Sequence, residues 1–448
     1  MHQASKSKFK HKIPMVLVRY VKYNQRSITM ASLRKTLLVV YINLAITIIN
    51  VNASSQPNTF VPRKLVIGVD GGTESIRACC FDAINGSIVG KSCAVPYTTY
   101  HPAPGWAEQY PEEWYKNLGE AVRGAMESVN ETEDGSDGDG DGVASDAKSR
   151  VCAICIDTTC CSVVALDEDY NPLRPSLLWM DARSAPQTTE ILKKCKGDRA
   201  LKVNCDGKGP LSAEWMTPKA LWIKQNEPEI WIKAKTICEY QDYINHKLTG
   251  VMCASSCNAA ARWHWDGEEC IKASDDANKY PGRPLSLYKK LGMPELADKL
   301  PKTCLPMGSL VGKLQKEAAE HLGLDEGTPV AQGGPDAFVG MVGLGCVHPQ
   351  QLCLITGSSH LDCVISSKPT TGGECWGAYR GAPLPGTNFA EGGQSSTGRS
   401  KGNSGKWSSI AESHNQFIHF IYSFSYRLHY SMGQENIWRR SVGLQNPR

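Results

Sequence analysis

Leu65-Val66-Ile67-Gly68-Val69-Asp70-Gly71-Gly72-Thr73-Glu74-Ser75-Ile76-Arg77-Ala78-Cys79-Cys80-Phe81 decides how this chain is read. An apolar run ends in an acid, two glycines and hydroxyl residues follow, and a second apolar run closes the stretch. Short apolar runs bounded by glycines predict buried strands rather than helix, here as the two arms of a hairpin. The turn sets Asp70 at a strand end, beside amides that two glycines leave uncovered. Such amides, with the hydroxyls of Thr73 and Ser75, suit phosphate oxygens, and a carboxylate at that spot suits Mg²⁺ held through water. An ordinary glycine turn explains the motif alone equally well. The functional reading gains from a second stretch almost three hundred residues later, Leu352-Cys353-Leu354-Ile355-Thr356-Gly357-Ser358-Ser359-His360-Leu361-Asp362-Cys363-Val364-Ile365. That is strand, glycine and hydroxyl turn, strand: the same design repeated.

The bulk numbers place the chain among globular proteins. Its 448 residues allow for two or three domains at ~100–200 residues each. A hydrophobic fraction of 41% with 21% charged residues excludes a disordered or fibrous chain. The net charge of +4 comes without a basic stripe interleaved with aromatics, so nucleic acid is not an expected partner. The 18 cysteines are scattered through apolar runs, where they act as small hydrophobes, and they read as reduced and structural. Cys152 and Cys155 form a C-x-x-C inside a strand-like run, which points their side chains to opposite faces.

Residues 1–62 form a basic extension, with no acid in the first thirty-five. Its apolar run, Leu37 to Val51, falls short of the ~20 residues that span a bilayer, so no stable membrane span is expected. The extension resembles a signal peptide read from Met30, an organelle transit peptide, or residues added by a gene model. A cytoplasmic location is expected, with a plastid or other organelle as the alternative. Further strands are expected at Ser87–Val95, Val151–Asp157 and Ser162–Leu166, with a helix from Pro111 to about Glu127. Residues 130–149 read as an acidic, disordered surface loop, because the Asp-Gly repeat lacks the twelfth-position Glu of a calcium loop. Helices are expected at Met216–Asn226, at Glu239–Leu248 with Gly250 as C-cap, and, as an amphipathic one, at Leu310–Leu322. Thr328–Asp336 reads as a short strand ending in a glycine turn with an acid, followed by a small-residue helix, Ala337–Gly343. Alternating strands and helices imply an α/β fold.

These motifs resemble the FGGY family of carbohydrate kinases, and within it the D-ribulokinase-like, pentulose branch. The match rests on Gly68 to Ser75, Gly105-Trp106-Ala107-Glu108-Gln109 with Trp114, and Leu178 to Arg183. It continues through Met216 to Trp222, Gly333-Gly334-Pro335-Asp336, Thr356 to Ser359 and Glu391-Gly392-Gly393-Gln394, and covers about residues 64–398. The resemblance implies a ribonuclease-H-like fold of the sugar kinase/actin/heat-shock ATPase superfamily. It divides the chain into a complete first domain (63–330), the start of an ATP-binding second domain (331–398) and an atypical, disordered tail (399–448). Family members continue after Gln394 with a helical domain that binds adenosine, so the second domain is expected to be truncated, with its hairpin's apolar face exposed.

The roles implied by the resemblance fall on particular positions. Asp70 is the acid engaging Mg²⁺, and Gly71, Gly72, Thr73, Glu74 and Ser75 form the first phosphate loop. Thr356, Gly357 and Ser358 form the second. Asp336 is the catalytic base, for which an ordinary carboxylate pKa suffices. Trp179, Asp181 and Arg183 line the sugar cleft, with Glu214 and Trp215 as further substrate residues; a surface Asp181–Arg183 pair beside a core Trp179 is the alternative. His264 and His360 read as structural. The implied activity is ATP-dependent, Mg²⁺-requiring phosphorylation of a ketopentose of the D-ribulose type at its terminal hydroxyl. The alternatives are a xylulose or polyol kinase, or a non-catalytic sugar-binding or regulatory fragment. The implied partner is a small-molecule sugar, with a homodimer left open.

Overall fold

In the computed structural model, β1 (Leu65–Gly71) and β2 (Ser75–Asp82) form the hairpin read from the sequence, with Asp70 directly opposite Arg77. The structure describes residues 64–134, 147–203, 211–272, 280–349, 351–356, 360–369 and 376–394. The extension 1–62, most of the acidic loop, Gly357, Ser358 and the tail 399–448 lie outside the described residues.

Along the chain, β3 (Ile88–Pro96) extends the hairpin and a short β4 (Glu108–Gln109) leads into α1 (Pro111–Asp134). Then come β5 (Val151–Thr158), β6 (Val163–Leu166), β7 (Ser176–Leu177), α2 (Ala185–Lys194), α3 (Met216–Asn226) and α4 (Pro228–Lys233). They are followed by β8 (Thr236–Glu239), α5 (Tyr240–Thr249), β9 (Cys253–Ser255), α6 (Ser256–Arg262) and α7 (Gly267–Cys270). Next are α8 (Leu285–Lys290), α9 (Leu296–Lys299), β10 (Thr303–Leu305), β11 (Leu310–Lys313) and α10 (Lys316–Leu322). The described part closes with β12 (Pro329–Ala331), α11 (Asp336–Gly343) and the strands β13 (Leu352–Thr356), β14 (His360–Ser366), β15 (Trp376–Arg380) and β16 (Asn388–Gln394).

The main sheet has the order β11-β12-β5-β1-β2-β3. Strands β12, β5 and β1 run parallel, flanked by antiparallel partners. Two parallel neighbours need a crossover, and α1 supplies it between β1 and β5. Leu65, Ile67 and Val69 of β1 face one side, where they join Trp114, Leu118, Ala121, Val122, Ala125 and Val129 of α1 in a buried core. That helix stripe recurs every three or four residues, and burying each such side chain contributes about 1.5–3 kcal/mol. Val129 prolongs the stripe, which is why α1 runs on to Asp134 rather than stopping near Glu127. Val66 points the other way, with Cys79, Phe81 and Ala153.

One expected helix is corrected. Leu310–Lys313 is an edge strand antiparallel to β12, and only Lys316–Leu322 is helical. Val311 and Leu314 do face inward, but Gly312 packs against Thr249 and lets the backbone extend where β12 needs a partner. The helix Met216–Asn226 has the expected bounds, and Gly250 caps α5 in the left-handed conformation at φ 73°. No disulfide joins the described cysteines. Cys155 lies in the core beside Ala331 while Cys152 packs on the opposite face, as the strand period requires. Among the described residues no helix is long and apolar enough to cross a membrane.

The second sheet has the order β13-β14-β16-β15 and repeats the hairpin design in β13 and β14. Its inner face packs onto α11 through Phe338 and Phe389. On its edge strand Leu352 and Leu354 are 41% and 51% exposed, an apolar row facing away from the core.

Candidate active site

Three acids stand where three adjacent parallel strands end. Asp70 is near the end of β1, Asp157 sits beside it in register on β5, and Asp336 follows the Gly333-Gly334-Pro335 turn after β12. The turn is held to β5 by the Thr158 amide donating to Gly334 O at 3.3 Å. In parallel α/β sheets the carboxyl ends of the strands are where ligands bind. Gly333 is required there: a Cβ at this position would lie 1.8 Å from Ile156 O, a backbone atom that cannot give way. Gly333→Ala is expected to cost about 1–3 kcal/mol and to displace Asp336. A thermal melt checks this, and an unchanged melting temperature contradicts it.

The acids raise one another. Burial and then the charge of Asp70 push Asp336 up to about 7, against weaker opposing effects from the Ala337 amide, Arg262 and Arg77. Asp336 therefore stands above the ordinary carboxylate range that would suffice for a base. Asp336 keeps a solvent-facing edge, as a group that must reach a ligand does. Asp157 is driven well above the carboxylate range by burial, then by Asp70 and Asp336, and its Oδ1 has no protein partner. Among the described residues Arg77 is the cation in direct contact with the trio, 2.6 Å from Asp70 Oδ2. A cluster with this surplus of negative charge fits a divalent cation. No three His, Cys, Asp or Glu side chains of the described residues converge as a full ligand set.

The loop after β1 has its carbonyls turned inward. Thr159 N donates to Gly71 O, Tyr97 O–H to Gly72 O, Gln109 Nε2 to Thr73 O at 2.8 Å, Tyr97 N to Glu74 O, and Gly72 N to Ser75 O. Every carbonyl from 71 to 75 is tied back, while the Thr73 and Glu74 amides have no acceptor among the described residues. Such free amides suit an anion. Gln109 is itself fixed by Trp114 Nε1 at 2.8 Å, and Trp114 stacks on Tyr240 beneath Gly71. Thr356 ends β13 opposite His360 in the second hairpin.

The residues expected to line a sugar cleft separate into two groups. Asp181 is fully buried: its oxygens take the Ala107 amide at 2.7 Å, the Arg183 amide and the Arg183 guanidinium. Arg183 stacks 3.7 Å from the Trp106 ring and reaches Glu108. This pair is buried rather than a surface pair, and it braces the Trp106–Gln109 segment under the 71–75 loop. Trp179 belongs to that loop as well, since its Nε1 donates to Thr73 Oγ1 at 3.0 Å. Glu214 is half-buried, and burial raises its carboxyl against the pull of Arg262 and Lys219. Trp215 lies under the Arg262 guanidinium and beside His264, itself buried and lowered to about 3.

Three residues that sequence reasoning passed over complete this region. Lys219 is wholly buried and donates to the carbonyls of Cys161, Leu178 and Trp179. Arg262 donates to Glu391 Oε1 and, at 3.1 Å, to Tyr379 Oη, joining α6 to the second sheet. Glu391 Oε2 is buried with no partner among the described residues. The helix bearing Lys219 and the Glu-Gly-Gly-Gln segment were visible motifs; their partners were not, because Lys219 bonds carbonyls 40 to 58 residues away and Arg262 stands 129 residues from Glu391.

A parallel core sheet with a phosphate-suited hairpin, and a second sheet bearing the same hairpin, is the mixed α/β architecture of the sugar kinases. The chain belongs to the FGGY family of carbohydrate kinases: the model of the family's N-terminal domain matches residues 65–343. It is 28% identical over 362 residues to an FGGY carbohydrate kinase domain-containing protein of Danio rerio, covering 74% of this chain and 59% of that one. A ribulokinase of Shouchella clausii is 28% identical over 360 residues, with 75% and 59% covered. Among solved structures, a xylulose kinase from Rhodospirillum rubrum superposes with a TM-score of 0.58 at 24% identity, over 75% of this chain and 61% of that one. The chain thus spans about three fifths of the length of these relatives.

Proposed function

We propose that this chain is the sugar-binding and first phosphate-binding part of an ATP-dependent kinase acting on a ketopentose of the D-ribulose type, at its terminal hydroxyl. The domain division read from the sequence, 63–330 and 331–398, is part of this proposal. The observation that carries it is that the loop after β1, with its free Thr73 and Glu74 amides, and Asp336 after β12 lie at the same end of the sheet, on either side of β5. A phosphoryl transfer needs this pair: donors for the phosphate oxygens and a base for the attacking hydroxyl.

Asp336 accepts the proton of the sugar hydroxyl as its oxygen attacks the γ-phosphorus of ATP. The Thr73 and Glu74 amides hold phosphate oxygens, with Gly71 and Gly72 allowing close approach and Thr356, Gly357 and Ser358 proposed for the opposite side. Asp70 and Asp157 are the groups present to hold Mg²⁺ through water; when bound, it would neutralise charge on the phosphates. Glu214 and the unpartnered Oε2 of Glu391 accept hydroxyls of the sugar. The ribulokinase and xylulose kinase names among the relatives support a ketopentose, and D-ribulose is the preferred reading over xylulose or a polyol.

A second reading is favoured by the exposed Leu352 and Leu354 row: a sugar-binding fragment that does not turn over ATP. Isothermal titration separates the two. Saturable binding of Mg·ATP as well as D-ribulose is expected; binding of the sugar alone would select the fragment reading.

A further inference from the structure

The Sγ atoms of Cys270 and Cys304 lie 3.0 Å apart, although the residues are 34 positions apart in sequence. The adjacent thiols of Cys160 and Cys161, by comparison, stand at 3.8 Å. A disulfide has its sulfurs at about 2.05 Å, so closing the Cys270–Cys304 gap needs about 1 Å of movement, within reach of side-chain rotation. Cys270 ends the one-turn helix α7, and Cys304 is the middle residue of β10, paired with Ala254 of β9.

The location gives the pair a consequence. Around α7, Asp266 and Glu269 hold Arg380 of β15 at 2.9 and 3.3 Å, and Glu268 takes the Gly386 amide. A Cβ on Gly267 would lie 2.4 Å from Arg380 O. The helix is therefore the strut on which the second sheet rests. The Arg283 guanidinium stacks 4.4 Å from the Trp265 ring. The hydrogen bond with Cys270 and burial push the Cys304 thiol well above the ordinary cysteine range, against a weaker opposing pull from Arg283.

We propose that Cys270 and Cys304 are an oxidative modification site, closing to an intramolecular disulfide on reaction with a peroxide and thereby fastening α7 to β10. One thiolate sulfur attacks a peroxide oxygen; the O–O bond breaks, leaving a sulfenic acid and, after protonation, water. The second sulfur then displaces the sulfenic hydroxyl, forming the S–S bond and breaking S–O. Two thiols and one hydrogen peroxide give one disulfide and two waters, with two electrons passing from the sulfurs to the peroxide. Cys270 and Cys304 are only 4% and 6% exposed, so the first step is slow and the intramolecular second step is fast. A dithiol reductant reverses the bond.

The test uses the full chain treated with hydrogen peroxide, alkylated and digested without reductant. Mass spectrometry is expected to find a cross-linked peptide pair carrying Cys270 and Cys304 that dithiothreitol removes. The melting temperature is expected to rise by about 5–10 °C on oxidation, as closing a loop of this length predicts. Cys304→Ser should abolish both effects, with Cys270→Ala as the second variant should the first fold poorly. Recovery of both cysteines alkylated, pairing of either with another cysteine, or the same melting shift in both variants overturns the proposal. The wild-type peptide map decides without either variant.

Discussion

Asp336→Asn is expected to lower ADP release with D-ribulose by about 10²–10⁴-fold while leaving sugar binding in place, the range that a general base contributes. The substitution preserves size and the Ala337 amide contact but removes the group proposed to take the proton. In the unsubstituted chain kcat/KM should rise with pH through about 7, where Asp336 ionises among Asp70, Asp157, Arg77 and Arg262. Stability moves the other way. The folded value of about 7 lies above the ordinary 3.8, so the folded state holds a proton that the unfolded chain releases. Its stabilising effect is present below about pH 4 and is lost as pH rises to 7. At pH 8 the Asn variant should therefore be more stable than the parent by about 1–3 kcal/mol, the solvent-facing edge of the carboxyl tempering the full effect. Loss of turnover with a gain in melting temperature is the signature of a functional acid. An Asp336 serving only as a helix cap would lose stability on substitution.

Arg262→Met should be the most destabilising single change at the junction of the two sheets. Glu391 is fully buried, and Arg262 is the cation that faces it. Removing one partner of a buried pair leaves an uncompensated charge, at a cost of about 3–5 kcal/mol. The lost stacking over Trp215, Phe338 and Tyr379 adds to it. A fall in melting temperature on the order of 10 °C is expected, and pairing the change with Glu391→Gln should recover a large part. No recovery in the double variant would mean that packing, not charge, holds the junction.

The parts of this fold legible in the sequence are those set by neighbours along the chain. The Leu65–Phe81 hairpin, the Met216–Asn226 helix and the Gly250 cap follow from period, propensity and backbone freedom. Leu310–Lys313 was misleading because the spacing of Leu310, Val311 and Leu314 satisfies helix and strand alike, and the need of β12 for an edge partner decided it. In the site, each strand-end acid is visible, but their mutual effect is not. Asp157 matters because parallel register sets it beside Asp70, which no local pattern states. Asp181 and Arg183 carry the chemistry of a polyol site, yet Trp106, Trp222 and the Ala107 amide enclose them. Glu391 looks like a strand residue until Arg262 and Tyr379 are found holding one of its oxygens.

The central claim is that one cleft holds ATP phosphates on the Gly71–Ser75 loop and a ketopentose hydroxyl at Asp336. It is tested most directly by ADP release from Mg·ATP with D-ribulose, run side by side on the full chain and on Asp336→Asn. The account predicts D-ribulose-dependent ADP release by the chain and a loss of at least 100-fold in the variant. Equal turnover by both proteins, or no turnover by the unsubstituted chain, would contradict it.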